Sequence, residues 1–132
     1  MPYEELPHTA DWCLRVWAGN LPALFAEAAR GMNALSGVRL AEGSRARRTF
    51  ETAAPDPESL LVAFLSELVY AAEQEKLGFD MFRIDIEGQT LKVEMEGAPL
   101  LSLNKAIKAV TYHNLQIQQT ARGVEVEIVF DV

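Results

Sequence analysis

Carboxylates at two predicted strand ends are the residues of this sequence best placed for chemistry. Asp11 stands where the chain enters an alternating segment at 12–17, and Asp131 stands at the end of the last alternating segment, next to Val132. If these strands pair antiparallel, the start of one lies beside the end of the other. Three carboxyl groups then meet, provided that the chain ends at Val132.

Carboxyl groups held that close together require either a raised pKa or a cation. Oxygen ligands suit Mg²⁺, Ca²⁺ or Mn²⁺ better than Zn²⁺. The pattern therefore predicts a divalent-metal site at Asp11, Asp131 and Val132. The alternative is that the aspartate near the chain end is an ordinary solvated residue.

The motifs of common catalytic sites are absent from the sequence. It contains no P-loop, GxGxxG, GxSxG, CxxC or HExxH motif, and His8 and His113 lie far apart. Cys13 has apolar neighbours, which favour a small buried residue over a nucleophile. A small metal-dependent hydrolase remains an alternative, which the carboxylates would permit but no general acid–base pair or phosphate-binding loop supports.

Two helices are predicted among the strands that must position these carboxylates. Apolar residues at helical spacing predict the first helix over 21–35, and Ser36-Gly37 ends it. The second helix begins at Pro57 with Asp56 as its N-cap, and Gly78 marks its end. Each helix has an apolar stripe that must be covered by another element.

Alternating segments predict the strands. They cover 12–17, 46–53, two segments joined by the hairpin signal Gly88-Gln89, and then 107–117 and 124–132. The order indicates an α+β fold, a mostly antiparallel β-sheet with two amphipathic helices packed against it. A length of 132 residues fits a single domain that covers 1–132.

The composition is that of a globular protein, with 49% hydrophobic and 23% charged residues. There is no apolar run of about 18 residues and no basic leader, so we expect a cytoplasmic protein with no membrane contact. The net charge of −7 opposes unaided binding to nucleic acid. The one basic cluster, Arg45, Arg47 and Arg48, is either a nucleic-acid edge or a solvated strand face.

Four stretches of the sequence, in order along nearly its whole length, resemble the archease family. They are HTAD at 8–11, LLVAFLSELVY at 60–70, KAVTYH at 108–113 and VFDV at 129–132. HTAD alone is weak evidence, whereas the combination in a chain of this length is specific. Many archeases have an acidic residue where this chain has Pro7 and a longer loop in place of 102–106, so fewer polar groups surround the predicted metal here.

The resemblance implies a small α+β accessory protein rather than an enzyme. Its partner would be an RtcB-type RNA ligase, whose guanylylation and multiple turnover it promotes in tRNA splicing or RNA repair, with tRNA met only through the ligase. Asp11, Asp131 and Val132 match the family's metal-binding positions. A metal-independent protein-binding or chaperone-like module is the alternative function.

The same resemblance suggests supporting roles for residues of the HTAD and KAVTYH motifs. His8 orders the turn or hydrogen-bonds a ligand carboxylate, unless it is a surface turn histidine. Lys108 matches a family lysine that pairs with a carboxylate or with the ligase, unless it is a solvated strand lysine. Tyr112 and His113 are assigned mainly to packing and hydrogen bonding.

Overall fold

Two helices and nine short to medium strands make up the part of the chain that the structure describes. The computed structural model describes residues 2–6 and 11–132. Helix α1 covers Leu21–Ser36, and α2 covers Pro57–Tyr70 and continues into a π-helical turn, Ala71–Glu75. The strands are β1 (Tyr3–Leu6), β2 (Trp12–Ala18), β3 (Arg39–Leu40), β4 (Ala46–Ala53), β5 (Leu77–Glu87), β6 (Thr90–Ser102), β7 (Ala109–Val110), β8 (Gln118–Thr120) and β9 (Gly123–Asp131).

The strands divide between two sheets, and every pairing within them is antiparallel. A five-stranded sheet has the order β1-β2-β9-β7, with β8 also paired with β9. In the four-stranded sheet β6 is central and pairs with β4, β5 and, near its end, β3. The predicted α+β class is confirmed, and short turns join the antiparallel pairs β5–β6 and β8–β9, whereas β2 and β9 come from opposite ends of the chain.

Helix α1 forms because its ends and its apolar face are well specified. The Asn20 side chain accepts a hydrogen bond from the Ala23 amide at 2.9 Å, and Gly37 ends the helix with a φ of 67°. Gly31 lets the helix approach the five-stranded sheet, since a Cβ there would lie 2.6 Å from Leu14 Cδ2.

Helix α2 ends earlier than the sequence predicted. Asp56 caps its start by accepting from the Ser59 amide at 2.7 Å, as expected. The helix ends through the π-helical turn, and Lys76 stops it with a φ of 56°. Gly78, predicted as the stop, lies in β5, where a Cβ on this residue would lie 2.5 Å from Leu40 Cδ2. Its role is therefore close strand packing rather than helix termination.

The predicted strand over 107–117 is also wrong. Only Ala109–Val110 pairs as a strand, and the chain then turns, with the Leu115 amide donating to the Tyr112 carbonyl at 3.1 Å. Asn114 takes a φ of 50° in this turn, which interrupts the alternation. The Ile117 amide donates to the Glu58 carboxylate at 2.9 Å, which fastens the segment to the first turn of α2.

The core lies between the helices and the two sheets. Phe25 of α1 stacks on Phe64 of α2 with 6.1 Å between ring centroids, and Phe64 meets Phe82 of β5 edge-on at 5.7 Å. Phe130 of β9 is also completely buried. Burial of each such side chain contributes about 1.5–3 kcal/mol, so these contacts tie both sheets to the helices.

None of the helices in the described segments is both long enough and apolar enough to cross a bilayer.

Candidate functional site

The first and last long strands of the five-stranded sheet bring the predicted carboxylates to one end of that sheet. Strand β2 pairs antiparallel with β9 from Ala18 opposite Val124 to Trp12 opposite Phe130. Asp11 immediately precedes this last pair and Asp131 immediately follows it. The strand pairing on which the site prediction depended is therefore present.

Alternation along β9 directs the Asp131 side chain away from the core. Phe130 is fully buried, whereas Asp131 is exposed on the opposite face of the strand. Within residues 2–6 and 11–132 the Asp131 carboxylate makes no ion pair and no side-chain hydrogen bond. Asp11 is partly buried, and Val132 is partly buried against the hydrophobic core. The carboxylate of Asp131 thus faces solvent, with the two other predicted ligands at the same strand end.

Strand β7 fixes the end of β9 from its other side. The Lys108 amide donates to the Asp131 carbonyl at 2.8 Å, and Ala109 is the register partner of Asp131. Lys108 is exposed, and its ammonium group makes no ion pair with any described residue. The backbone therefore brings Lys108 and Asp131 together, no ion pair joins their side chains, and the predicted pairing of Lys108 with a carboxylate or with the ligase stays a prediction.

Thr111 is a further residue of this region, which the sequence did not single out. Its amide and its hydroxyl both donate to the Val129 carbonyl, at 3.1 Å and 2.9 Å. The two bonds hold the chain beside β9 after the short β7 has ended. A threonine that directly follows an apolar strand residue was the only available signal, and threonines are too common at strand ends for it to be specific.

The remaining residues of the HTAD and KAVTYH motifs have different outcomes. His8 lies outside the described residues, so its predicted role stays a prediction. Tyr112 is 59% exposed, and its assignment to packing is wrong because the turn at 112–115 carries the ring outward. His113 is exposed but hydrogen-bonded: its amide contacts Thr111 Oγ1 and its ring nitrogen contacts the Asn114 amide group, both at 3.3 Å.

The donor set at this strand end consists of oxygen atoms. In the described segments, no group of three or more His, Cys, Asp and Glu side chains is arranged to hold a metal ion. The end of β9 has two such side chains, Asp11 and Asp131. The third donor is the terminal carboxylate of a chain that ends at Val132. Such ligands match a hard divalent cation in type and in charge.

Cys13 lies on β2 close to this strand end and is not available as a nucleophile. Its side chain is 5% exposed, and it lies opposite Val129 in the sheet. Burial raises the pKa of the Cys13 thiol, nearby Glu127 raises it further, and Arg15 partly opposes this. The prediction of a buried, unreactive cysteine agrees with this environment.

The basic cluster around β4 is paired with carboxylates of the same chain. Arg45 bonds Asp80, Arg48 makes a two-pronged contact with Glu75 at 2.5 and 2.6 Å, and Arg47 lies 3.8 Å from Glu96. Of the two interpretations of the cluster, these pairs favour a charged strand face over a nucleic-acid edge.

Comparison with known proteins agrees with the fold and the sequence motifs. Residues 3–132 match the sequence profile of the Archease protein family. The archease of Methanosarcina barkeri is 36% identical over 143 residues, which cover 98% of this chain and 95% of that protein.

Two solved structures have the same fold along nearly the whole chain. The solution structure of a Methanobacterium thermoautotrophicum protein has a TM-score of 0.72 and 22% identity, and covers 99% of both chains. The crystal structure of an archease and possible chaperone from Thermotoga maritima has a TM-score of 0.71 and 21% identity, over 98% of this chain and 96% of that one. These two structures show the fold, and the profile match together with the Methanosarcina relative shows that the chain belongs to the archease family.

Proposed function

We propose that this chain is an accessory protein that activates an RtcB-type RNA ligase, promoting its guanylylation and its multiple turnover. Membership of the archease family supports an accessory role rather than catalysis. The single observation that carries the proposal is the register of β2 against β9, which leaves Asp11 and Asp131 at one exposed strand end. A partner protein can reach Asp131 there without any change of fold, since its side chain faces solvent.

The proposed site holds a divalent cation through Asp11, Asp131 and the terminal carboxylate of a chain that ends at Val132. The bound cation, Ca²⁺, Mg²⁺ or Mn²⁺, supplies a positive charge and open coordination positions at the protein surface. The chain's own residues keep the donors in place, since Lys108 and Thr111, which lie on either side of β7, bond the end of β9. In the proposal, Lys108 meets an acidic group of the ligase, and His8 supports a ligand carboxylate.

Contact with tRNA occurs only through the ligase in this proposal. The chain carries a net charge of −7, which repels a phosphate backbone. Its one arginine cluster is already paired with Asp80, Glu75 and Glu96. The proposed place of action is the cytoplasm, where the ligase partner would meet spliced or damaged RNA.

The test is a multiple-turnover RNA ligation assay with the cognate ligase, GTP and divalent metal, run with and without this protein. We expect the protein to raise the number of turnovers per ligase, and Asp131→Ala to remove that effect. Glu51→Ala is the matched control, because Glu51 is an exposed carboxylate on β4, in the other sheet. Equal turnover with and without the protein would contradict the proposal.

Two further readouts separate the proposal from its alternatives. The protein alone should neither join RNA nor hydrolyse GTP, because it contains no nucleotide-binding loop. Metal-dependent turnover by the protein alone would support a hydrolase instead. Stimulation that persists in full after Asp11→Ala and Asp131→Ala, with no metal bound, would support a chaperone-like module of the kind suggested for the Thermotoga maritima relative.

A further inference from the structure

Strand β5 has one long edge that no strand in the described part of the chain pairs with. Among the described residues β5 pairs only with β6, on one side. The beginning of its other side is closed, since the Asn33 side chain of α1 donates to the Phe79 carbonyl at 2.8 Å and a bulge follows between Phe79 and Met81. The open edge is therefore confined to residues 81–87.

The open edge leaves apolar surface partly uncovered. Phe82, Ile84 and Ile86 point toward the core yet remain partly exposed. Their register partners on β6 are Met95, Val93 and Leu91, which are 3%, 2% and 0% exposed. The difference arises because β6 has a neighbour on both sides and β5 has one, so an added strand would cover these three side chains.

The outward side of the same edge carries two charges, Arg83 and Asp85, whose register partners on β6 are Glu94 and Lys92. Arg83 and Asp85 are exposed and make no ion pair with any residue in 2–6 or 11–132. In this respect Arg83 differs from the arginines around β4, all of which meet a carboxylate. A partner strand could therefore use both charges.

The sequence of the edge is complementary to itself in one antiparallel register. With a twofold axis through Ile84, Arg83 of each copy lies opposite Asp85 of the other, and Phe82 lies opposite Ile86. An axis through Arg83 or through Asp85 instead places like charges opposite each other, which is unfavourable in a strand pair. An axis through a residue also keeps core-side residues opposite core-side residues, so the two sheets continue with their faces aligned.

We propose that residues 81–87 form an interaction surface for a second copy of this chain, which adds its own β5 antiparallel with Ile84 at the twofold axis. The pairing joins the two four-stranded sheets into one and covers Phe82, Ile84 and Ile86 of both copies. It satisfies backbone groups that the open edge leaves to solvent. An interface limited to one strand from each copy is small, so we expect a dimer that forms reversibly with concentration.

A cysteine cross-link tests both the edge and its register. Only residue 84 meets its own counterpart in this arrangement, and directly opposite residues of an antiparallel pair lie within disulfide reach. Mild oxidation of Ile84→Cys should give a covalent dimer roughly tenfold faster than oxidation of Ile86→Cys, whose counterpart is Phe82. The native Cys13 is buried and does not compete. Equal rates would overturn the register, and faster linking of Thr49→Cys, at the middle of β4, would assign the contact to the other edge and overturn the proposal.

Charge exchange tests the same contact without cysteines. Arg83→Asp should raise the dissociation constant of the dimer roughly tenfold in sedimentation equilibrium, and the double variant Arg83→Asp with Asp85→Arg should restore it. Arg47→Asp makes the same change of net charge on β4 and should have little effect. A native chain that stays monomeric from micromolar to millimolar concentration would overturn the proposal, as would a double variant that associates no better than Arg83→Asp.

Discussion

Two clusters of charge in this protein differ in whether the fold neutralises them. Around β4, each of three neighbouring arginines meets a carboxylate of the same chain. At the end of β9, the side chains of Asp131 and Lys108 make no ion pair with any described residue. The charges of both clusters can be recognised in the sequence. Only the structure shows which of them have an opposite charge beside them. A cluster whose charges are left unpaired by its own chain is the better candidate for binding a ligand or a partner.

The difference follows from strand neighbours. Arg47 of β4 lies directly opposite Glu96 of the central strand β6, so antiparallel pairing itself supplies the opposite charge. Asp131 of β9 has Ala109 as its register partner on β7, and this residue carries no charge. No cation among the residues that the structure describes pairs with Asp131, which leaves its carboxylate available.

The largest effect is expected when this unpaired carboxylate is removed. Asp131→Ala should lower metal affinity about 10- to 100-fold and abolish stimulation of the ligase, and Asp11→Ala should do the same. The fold should survive, because Asp131 is exposed and contributes nothing to the core. Calorimetric metal titration, circular dichroism and the ligation assay measure the three properties. A well-folded Asp131→Ala protein with full activity would reject the site.

A tag at the chain end tests the third proposed ligand, in a chain that ends at Val132. A short C-terminal extension replaces the terminal carboxylate by a neutral amide, so metal affinity should again fall about 10- to 100-fold. An extension at residue 1 is the control: β1 runs antiparallel to β2, with Tyr3 opposite Val16, so Tyr3 lies at the opposite end of the β1–β2 pair from Asp11. Calorimetry on both tagged forms and the untagged chain makes the comparison. Equal affinity of the C-terminally extended and untagged forms would remove Val132 from the site.

Much of the fold could be predicted because its signals are local. Caps at Asn20 and Asp56, the hairpin at 88–89 and the alternation in β2 and β9 were all recognised from the sequence. Strands β1 and β3, with four and two residues, are too short for alternation to stand out. The helical segment that continues α2 stops at Lys76, which has a positive φ. A lysine in the sequence does not indicate that conformation. The division into two sheets depends on long-range pairing, which no local pattern encodes.

The strand pairing behind the candidate site could be predicted from the sequence, but the surroundings of the two aspartates could not. Strands β2 and β9 pair antiparallel, so the start of β2 lies beside the end of β9. This pairing places Asp11 and Asp131 at one end of the sheet. The sequence did not indicate that Thr111 would bond Val129 twice, or that the Tyr112 ring would be exposed. The Tyr112 ring lies at the start of a turn in which Asn114 takes a φ of 50°, and an alternating pattern does not indicate such a turn.

A smaller effect, on stability alone, is expected at the paired cluster. Arg48 bonds Glu75 through both terminal nitrogens, and its guanidinium lies 5.7 Å from the centre of the Phe79 ring. Arg48→Ala should lower the free energy of unfolding by about 1 kcal/mol, because it releases the π-helical turn from β4. Arg47→Ala should change it by less than about 0.5 kcal/mol, since that side chain is 86% exposed. Urea denaturation measures both, and ligase stimulation should be unchanged in each. Loss of stimulation in Arg47→Ala, with stability retained, would show that a paired arginine also serves the ligase.

The smallest effect concerns how the contact between Arg48 and Glu75 depends on pH. The side-chain hydrogen bond from Arg48 lowers the pKa of Glu75, desolvation partly opposes this, and the charge of Arg48 lowers it further. A carboxyl whose pKa is lower in the folded state adds stability above its unfolded pKa and loses it as the pH falls through the folded value. The difference in the free energy of unfolding between the native protein and Glu75→Gln should therefore be constant at neutral pH. It should shrink toward zero as the pH falls from the ordinary glutamate range through the lowered pKa of Glu75.

Urea denaturation of both proteins from neutral to strongly acidic pH gives this difference directly. Glu51→Gln is the control, because it removes an exposed carboxylate of β4 that makes no ion pair with any described residue. A difference between the native protein and Glu75→Gln that stays constant into strong acid would show that the carboxylate charge does not stabilise the π-helical turn.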